Sequence, residues 1–371
     1  MSEYAVAGVD PEKIDPFKAA MRKMGARTTK FPERRGVIIE DGSFWYGLDR
    51  SHAWRQVTEG LGNKNWIAEW MYQETRDARY FLGIGIDTIM MAAVDLLRHG
   101  AMPVVYTDEV AAGSSEWFED EERRAAIVNG FFQGCRLTGM ALLGGESPSL
   151  SSLVRARPPV AGAPVFSGCA TGIIAPRDAV ITGNRLHAGA VILGAPSSGV
   201  HANGISLIIR RALDLREKFF TTMPNGRELG AEALIPTASY VGLVDALMRA
   251  NVDILAMAPI TGGGLAKFAA ASARPLIHCI EQWPERIPPL LAFMFNIGVP
   301  LEECLRTFNW GIGYAVYVRE AEASRAMAIA ERAGCPLQRL GRVENGPRHV
   351  VVQKKAIPGL SEDLRIPPPG A

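Results

Sequence analysis

The alternation of apolar and polar residues predicts helices and strands mixed along the whole chain. Several segments carry apolar residues at helical spacing, and short runs rich in β-branched residues, bounded by Gly, Pro or Asp, predict strands between them. We predict strands at 36–40, 104–106, 141–143, around 165–166, 190–193 and 313–318, and helices at 83–97, 117–138, 203–215, 239–250, after 262–264 and at 321–333. Such alternation is typical of a layered mixed α/β (α+β) protein, and it excludes a helical bundle and a β-sandwich.

The helix predicted at 117–138 has an apolar side. We expect Phe131, Phe132 and Cys135 to lie on its inner face. The loop that follows the next strand, 147–164, is rich in Ser, Pro and Arg, and we place a domain boundary near residue 175. A chain of 371 residues is long enough for two domains. We therefore expect an arm with a first strand at 1–50, an N-terminal domain at 51–175, a C-terminal domain at 176–355 and a tail at 356–371.

Composition narrows the classes of partner. The chain has 40 Lys and Arg against 39 Asp and Glu, a balance without the basic stripe that nucleic acid or an anionic membrane requires. The N-terminus lacks a basic segment followed by an apolar one, and we expect no membrane span and a cytoplasmic location. The five cysteines are scattered, without a C-x-x-C pair, which favours reduced structural thiols.

Carboxylates lie within or directly after several of the apolar segments. Unpaired charges are costly in such positions, unless an opposite charge or a cation compensates them. Mg²⁺ prefers hard oxygen ligands and often bridges carboxylates to substrate phosphates, whereas the alternative is a helix cap or a turn residue. The candidates are Glu59, Asp87, Asp95, Asp108 and Glu146.

Gly-rich loops precede several of the predicted helices. Glycine lets the backbone approach a ligand, and a helix N-terminus offers free N–H groups to phosphate. The loops contain Gly60 and Gly62, residues 196–204, and Gly262, Gly263 and Gly264. None matches a Walker loop or a dinucleotide fingerprint, so a standard P-loop or Rossmann site is excluded, and each loop taken singly is also compatible with a structural turn.

Two basic side chains next to these loops are further candidates. His201, in the polar stretch that ends at Asn203, suits a phosphate ligand or a proton-transfer group, or else a loop histidine that bonds a backbone carbonyl. Lys64 suits a nucleotide phosphate or a solvated helix start. Ser197 and Ser198 lack the Gly-x-Ser-x-Gly context of a serine nucleophile.

Taken together and in order, these motifs resemble the aminoimidazole ribonucleotide synthetase family, also called phosphoribosylformylglycinamidine cyclo-ligase. The resemblance extends from residue 4 to about residue 353. Its matching stretches are YAVAGVD (4–10), TEGLGNK (58–64), IGIDTIMMAAVD (84–95), GAMP (100–103), GGE (144–146), PSSGVHANGISL (196–207), ITGGGL (260–265) and RTFNWGIG (306–313).

The resemblance implies a two-domain fold, a homodimer and an ATP-dependent cyclisation. N-terminal strands would form a barrel across the dimer, with ATP near that interface, and a C-terminal α+β domain would cover a phosphorylated ribonucleotide substrate. Phosphoryl transfer to an amide oxygen of formylglycinamidine ribonucleotide would activate it for ring closure, with ATP and Mg²⁺ as cofactors.

The implied site follows from the matching positions. Glu59 and Asp95 match acidic positions that serve Mg²⁺ and the ATP phosphates. His201, Asp95 and Lys64 are the implied catalytic residues. The implied cofactor-binding residues are Glu59, Gly60, Gly62, Asn63, Asp87, Glu146, Asn203, Gly262, Gly263 and Gly264.

The chain departs from the family pattern at several of these places. Glu59 replaces Asp, Asn63 replaces Thr, Val94 replaces the Asn of the V-N-D triplet, Pro259 replaces His and Ala238 replaces Arg. After GGE the family continues T-A-E-M-P, whereas this chain has Ser147-Pro148-Ser149-Leu150 and lacks the second carboxylate. The N-terminal Gly-rich segment has no counterpart at 34–44. Two alternatives therefore stand beside the cyclo-ligase. One is a paralogue that uses ATP on another small substrate, as the related selenophosphate synthetases, thiamine phosphate kinases and hydrogenase-maturation proteins do. The other is a non-catalytic nucleotide-binding homologue.

Overall fold

The structure, a computed structural model, describes residue 31 and residues 38–40, 45–47 and 51–369. Within these residues the chain forms two mixed sheets, each covered by helices. Most of the predicted arm at 1–50, including the 4–10 motif, lies outside the described residues, as does the end of the predicted tail.

The first sheet belongs to the N-terminal half of the chain. Its strands follow the order β1-β2-β3-β6-β4-β5, and every neighbouring pair is antiparallel except β4 and β5. They are β1 (Ile38–Glu40), β2 (Trp45–Gly47), β3 (Ala53–Gly60), β4 (Met102–Ala111), β5 (Ala141–Glu146) and β6 (Val165–Ile174). The sheet ends at β5, which is exposed along its whole length.

Three α-helices accompany this sheet: α1 (Lys64–Thr75), α2 (Leu82–Leu97) and α3 (Glu121–Thr138). Helix α2 is apolar on nearly every side, which is typical of a helix enclosed in a core. Helix α3 begins where the Asp120 carboxylate accepts a hydrogen bond from the Arg123 backbone N–H at 3.0 Å. A Cβ atom on Gly85 would lie 2.5 Å from the Phe131 backbone nitrogen, so glycine permits the close contact of α2 with α3.

One segment of the described chain has the length and composition of a membrane span. It covers Ala78–Leu97, and 83% of its most apolar window is buried inside the fold. The segment includes α2, the central helix of the N-terminal half. The apolar composition of this segment is therefore explained by its burial inside the protein.

The second sheet has the order β13-β12-β9-β11-β7-β10-β8, and only the β12–β9 pair is parallel. The last two strands in this order, β10 and β8, are buried throughout, which explains their continuous apolar sequences. The strands are β7 (Val191–Pro196), β8 (Ile254–Pro259), β9 (Leu276–Ile280), β10 (Ile312–Val318), β11 (Gln338–Asn345), β12 (His349–Val352) and β13 (Leu364–Ile366). The helices are α4 (Ile205–Asp214), α5 (Leu229–Ala233), α6 (Val241–Arg249), α7 (Pro289–Asn296), α8 (Leu301–Thr307) and α9 (Glu320–Arg332).

The predicted mixed α/β class is confirmed, and most predicted elements are present within a few residues of their expected bounds. The helix predicted after 262–264 is a 3₁₀ helix over Gly264–Ala271. The placement of Phe132 on the inner face of α3 is wrong. Its side chain is 64% exposed whereas Phe131 is buried, because consecutive helical residues point about 100° apart.

Candidate functional site

A polar cleft of about 390 Å³ lies between the two halves of the chain. The N-terminal half supplies the end of β3, the start of α1 and the last turns of α2, and the C-terminal half supplies the loop before α4 and the loop after β8. Of the residues predicted from the sequence, the cleft is lined by Glu59, Gly60, Gly62, Asn63, Asp95, Asn203 and Gly262. Gly263 and Gly264 follow directly in the chain, and both have left-handed backbone angles.

Two helix N-termini meet at this cleft. Gly62, with φ of +76°, turns the chain from β3 into α1, and Gly204, with φ of +72°, precedes α4. The Asn63 amide donates a hydrogen bond of 2.9 Å to the Ser206 hydroxyl, which joins the starts of the two helices. The Asn203 amide nitrogen is buried and has no hydrogen-bond partner in the described part of the chain. The cleft therefore offers an unused amide donor beside two helix ends that favour an anion.

Asp95 lines the cleft, and Arg55 contacts its carboxylate from the protein interior. The Arg55 guanidinium lies 3.0 Å from the Asp95 carboxylate and also donates to the Asp95 backbone carbonyl at 3.3 Å. The Asp95 side chain is 30% exposed, whereas that of Arg55 is 4% exposed. Burial lowers the pKa of Arg55, and the Asp95 charge opposes this shift. The described residues contain no group of three or more His, Cys, Asp or Glu side chains placed to hold a metal.

Lys64 and Asp87, two predicted site residues, form a fully buried ion pair outside the cleft lining. Their charged groups are 2.7 Å apart, and both side chains are 0% exposed. The Lys64 ammonium also donates to the backbone carbonyls of His201 and Ile235, at 2.8 and 2.7 Å. Burial lowers the pKa of Lys64 and the Asp87 carboxylate opposes that shift. In this position Lys64 connects the start of α1 to two loops of the C-terminal half.

The same aspartate binds the C-terminal half through its second oxygen. This oxygen accepts hydrogen bonds from the Thr237 backbone N–H at 2.7 Å and from the Thr237 hydroxyl at 2.5 Å. The two contacts from Thr237 make Asp87 a joint between the halves, and the contact from Lys64 lies within the N-terminal half.

His201 lies behind the cleft wall, next to the contact made by Lys64. Its side chain is 2% exposed, its φ is +61°, and its Nε2 atom accepts a hydrogen bond from the Ser198 backbone N–H at 3.3 Å. Burial, and to a smaller extent the Lys64 charge, lower the pKa of His201 to about 3, so the imidazole is neutral near neutral pH. These surroundings favour a role in shaping the 198–204 loop, and its catalytic role stays a prediction.

Glu146 is separated from the cleft residues. It ends the exposed edge strand β5, where its carboxylate accepts a hydrogen bond from the Ser147 backbone N–H at 2.9 Å. The neighbouring Asp108 lines a different, apolar cavity of about 610 Å³ between α3 and the β4–β5 edge. Burial raises the pKa of Asp108. The predicted acidic set thus divides into cleft, joint and sheet-edge groups.

Sequence reasoning missed Arg55 and Asn309. Arg55 occupies an inward position of β3 between buried Ala53 and Val57. A charged residue at a buried position of a strand with alternating burial was the signal that could have identified it. Asn309 is buried and holds the 197–199 loop, since its amide donates to the Gly199 carbonyl at 2.9 Å and accepts from the Ser197 hydroxyl at 3.1 Å. Its signal was its place in the RTFN stretch, which the sequence left without a role.

Comparisons with known proteins agree over nearly the whole chain. Residues 68–174 match the model of the AIR synthase related protein N-terminal domain, and residues 187–354 match that of the C-terminal domain. The phosphoribosylformylglycinamidine cyclo-ligase of Clostridium novyi (strain NT) is 30% identical over 358 residues, which cover 95% of this chain and 100% of the relative. The enzyme of the same name from Aromatoleum aromaticum is 33% identical over 350 residues, which cover 92% and 94%.

The fold is also similar to that of solved structures. The crystal structure of the hydrogenase maturation protein HypE has a TM-score of 0.60 to this chain, with 18% identity, and the match covers 87% of this chain and 90% of HypE. At that identity the likeness concerns the fold. The cyclo-ligase relatives and the two domain models, in contrast, carry the family assignment, and the chain therefore belongs to the phosphoribosylformylglycinamidine cyclo-ligase family of AIR synthase related proteins.

Proposed function

We propose that this chain is an ATP- and Mg²⁺-dependent cyclo-ligase that converts formylglycinamidine ribonucleotide to aminoimidazole ribonucleotide in purine biosynthesis. The observation that carries the proposal is the 30–33% identity to enzymes of that name over nearly their entire length. The polar cleft supports it, because Gly60, Gly62, Asp95 and Asn203 from three separate motifs line one cavity. We propose this cleft as the nucleotide site.

In this proposal the protein acts by binding and orienting phosphate groups. The N-termini of α1 and α4 direct backbone N–H groups into the cleft, and the unused Asn203 amide adds a donor. Positioning of this kind supplies much of the catalysis in phosphoryl transfer. The amide oxygen of the substrate takes the γ-phosphoryl group of ATP, a neighbouring nitrogen attacks, phosphate leaves, and ADP is released.

The donor set of the cleft fits a magnesium ion that binds with the nucleotide. Glu59 and Asp95 provide carboxylates, and Asn63 and Asn203 provide amide groups. Mg²⁺ is commonly held by one or two carboxylates together with substrate phosphates, and it keeps several waters. When bound, the ion would neutralise charge on the transferring phosphoryl group. Glu59 and Asp95 are the residues that would hold it.

We further propose a cytoplasmic homodimer with a domain boundary near residue 175. The support for the dimer is the exposed sheet edge at β5, where Leu142 and Leu143 are exposed beside Phe132 and Val128 of α3. Exposed apolar edge strands are usually covered in native proteins. The barrel across the two-fold axis stays a prediction. All five cysteines are free thiols.

The decisive experiment is ADP release by the purified protein with Mg·ATP, with and without formylglycinamidine ribonucleotide, together with mass-spectrometric detection of the imidazole product. We expect substrate to stimulate ADP release and the product to form in equal amount. The half-buried Asp245 of α6, which pairs with Arg249 outside the cleft lining, supplies a control, and Asp245→Asn should behave as the unmodified protein. ATP turnover without imidazole formation would instead support a paralogue with another substrate, and absence of nucleotide binding would contradict the proposal.

A further inference from the structure

Arg55 is a strongly buried cation that contacts a carboxylate of the cleft. It lies in the middle of β3 with its side chain 4% exposed, and its guanidinium meets Asp95 from the protein interior. Asp95 faces the cleft with its remaining surface. The carboxylate is therefore contacted by protein on one side and is open to a ligand on the other.

Several other titratable groups lie near this pair, and Glu59 adds a second carboxylate to the same cleft lining. Arg98, which directly follows α2, donates to the Ala270 backbone carbonyl and adds a positive charge near Arg55. His99 binds the Ile181 carbonyl at 2.7 Å, and burial lowers its pKa to about 4, so it is neutral near neutral pH. The Asp95 carboxylate thus contacts one permanent cation, Arg55, before any metal binds.

A divalent cation at Asp95 would have to share the carboxylate with the guanidinium. Two unit charges about 4 Å apart at a protein surface repel strongly enough to change a binding constant by about tenfold or more. Nucleotide phosphates would restore the missing negative charge, since Mg²⁺ in such sites takes much of its coordination from phosphate oxygens.

We propose that Arg55 is a positioning residue that holds Asp95 and weakens divalent-cation binding in the nucleotide-free cleft, so that the metal enters together with the nucleotide. The role of the nucleotide rests on the function proposed above. The competition between Arg55 and a divalent cation for Asp95 does not, because it follows from the 3.0 Å contact and the position of Asp95 in the cleft.

The test is a titration of the full-length, nucleotide-free protein with Mn²⁺, followed by electron paramagnetic resonance of the free ion. We expect Arg55→Met to bind Mn²⁺ about tenfold more tightly than the unmodified protein, and Arg55→Lys, which keeps the charge, to stay within about threefold of it. Arg123→Met is the matched control, because Arg123 pairs with buried Glu69 at 3.1 Å outside the cleft lining. Its Mn²⁺ affinity should not change.

The gain in Arg55→Met must depend on Asp95, so the double variant Arg55→Met/Asp95→Asn should lose it. Unchanged or weaker Mn²⁺ binding in Arg55→Met, or an equal gain in Arg123→Met, would overturn the inference. If Arg55→Met does not fold, Arg55→Gln provides the same comparison. If Arg55→Met binds Mn²⁺ more tightly but the unmodified protein makes no imidazole product, this inference stands and the cyclo-ligase proposal fails. If the product forms but Arg55→Met does not bind Mn²⁺ more tightly, the cyclo-ligase proposal stands and this inference fails.

Discussion

The buried ion pair between Lys64 and Asp87 gives a sharp test of how the halves of the chain are joined. A Lys64→Met variant keeps most of the side-chain volume but removes the ammonium group, which lies 2.7 Å from the carboxylate and donates to the His201 and Ile235 carbonyls. Both charged side chains are fully buried, so water cannot replace the lost partner. Removing one member of a buried pair costs about 3–5 kcal/mol.

In Lys64→Met the Asp87 carboxylate has lost its charged partner and can take up a proton instead. Proton uptake limits the loss in free energy of unfolding and makes that loss depend on pH. Protonating an aspartate of ordinary pKa costs about 4 kcal/mol near pH 7 and about 1.5 kcal/mol near pH 5. In the variant, the buried carboxyl group binds its proton more tightly in the folded than in the unfolded chain, so the variant gains stability as the pH falls. We therefore expect Lys64→Met to lose about 4 kcal/mol near pH 7 but about 1.5 kcal/mol near pH 5.

The assay is urea denaturation followed by circular dichroism, with the free energy of unfolding taken by linear extrapolation. The exposed Lys355 supplies the control, and Lys355→Met should change stability by less than about 0.5 kcal/mol. A Lys64→Met/Asp87→Asn double variant should recover part of the loss, because its neutral amide oxygen can still accept from Thr237. Unmodified stability of Lys64→Met near pH 7, or a loss that does not change with pH, would refute the reasoning.

Three further predictions concern the cleft, the packing behind it and a second buried carboxylate. Asp95→Asn should lower turnover by about 10²–10³-fold, because it removes a fixed charge proposed to act next to the transferring phosphoryl group; steady-state ADP release measures this, and unmodified turnover would exclude Asp95 from the mechanism. Gly313→Ala should lower the free energy of unfolding by about 1–3 kcal/mol, because the new methyl group would collide with the Tyr240 hydroxyl. The control is Gly242→Ala, whose methyl group would enter open space on α6, and it should be neutral or stabilising by up to about 1 kcal/mol. Equal melting temperatures for these two glycine variants would contradict the packing argument. Burial raises the pKa of Glu69 to about 7. The folded chain therefore holds a proton on Glu69 that the unfolded chain has already released, and this contribution to stability is lost as the pH rises. Between about pH 5 and 8, the unmodified protein should lose about 2–3 kcal/mol of its free energy of unfolding relative to Glu69→Gln. A constant difference between these two proteins over that range of pH would show that Glu69 does not titrate there.

Much of the fold followed from local patterns in the sequence. Helical spacing at 83–97 and the apolar runs at 190–193 and 313–318 specify their elements, since the period of burial is a property of a single segment. The order of the Gly-rich motifs and of the RTFN stretch was sufficient to recognise the family, which the comparisons confirm. The sequence also placed Asp95 and Asn203 among the candidates that share one cleft.

The partners of the charged residues depended on tertiary packing. The carbonyl groups bound by Lys64 lie 137 and 171 positions away in the chain, and Thr237 lies 150 positions from Asp87, so no local pattern specifies these contacts. Arg55 meets Asp95 across 40 positions because β3 lies beside α2. Periodicity reports that a charged residue is buried, whereas its role as joint, ligand or competitor depends on which distant segment packs against it.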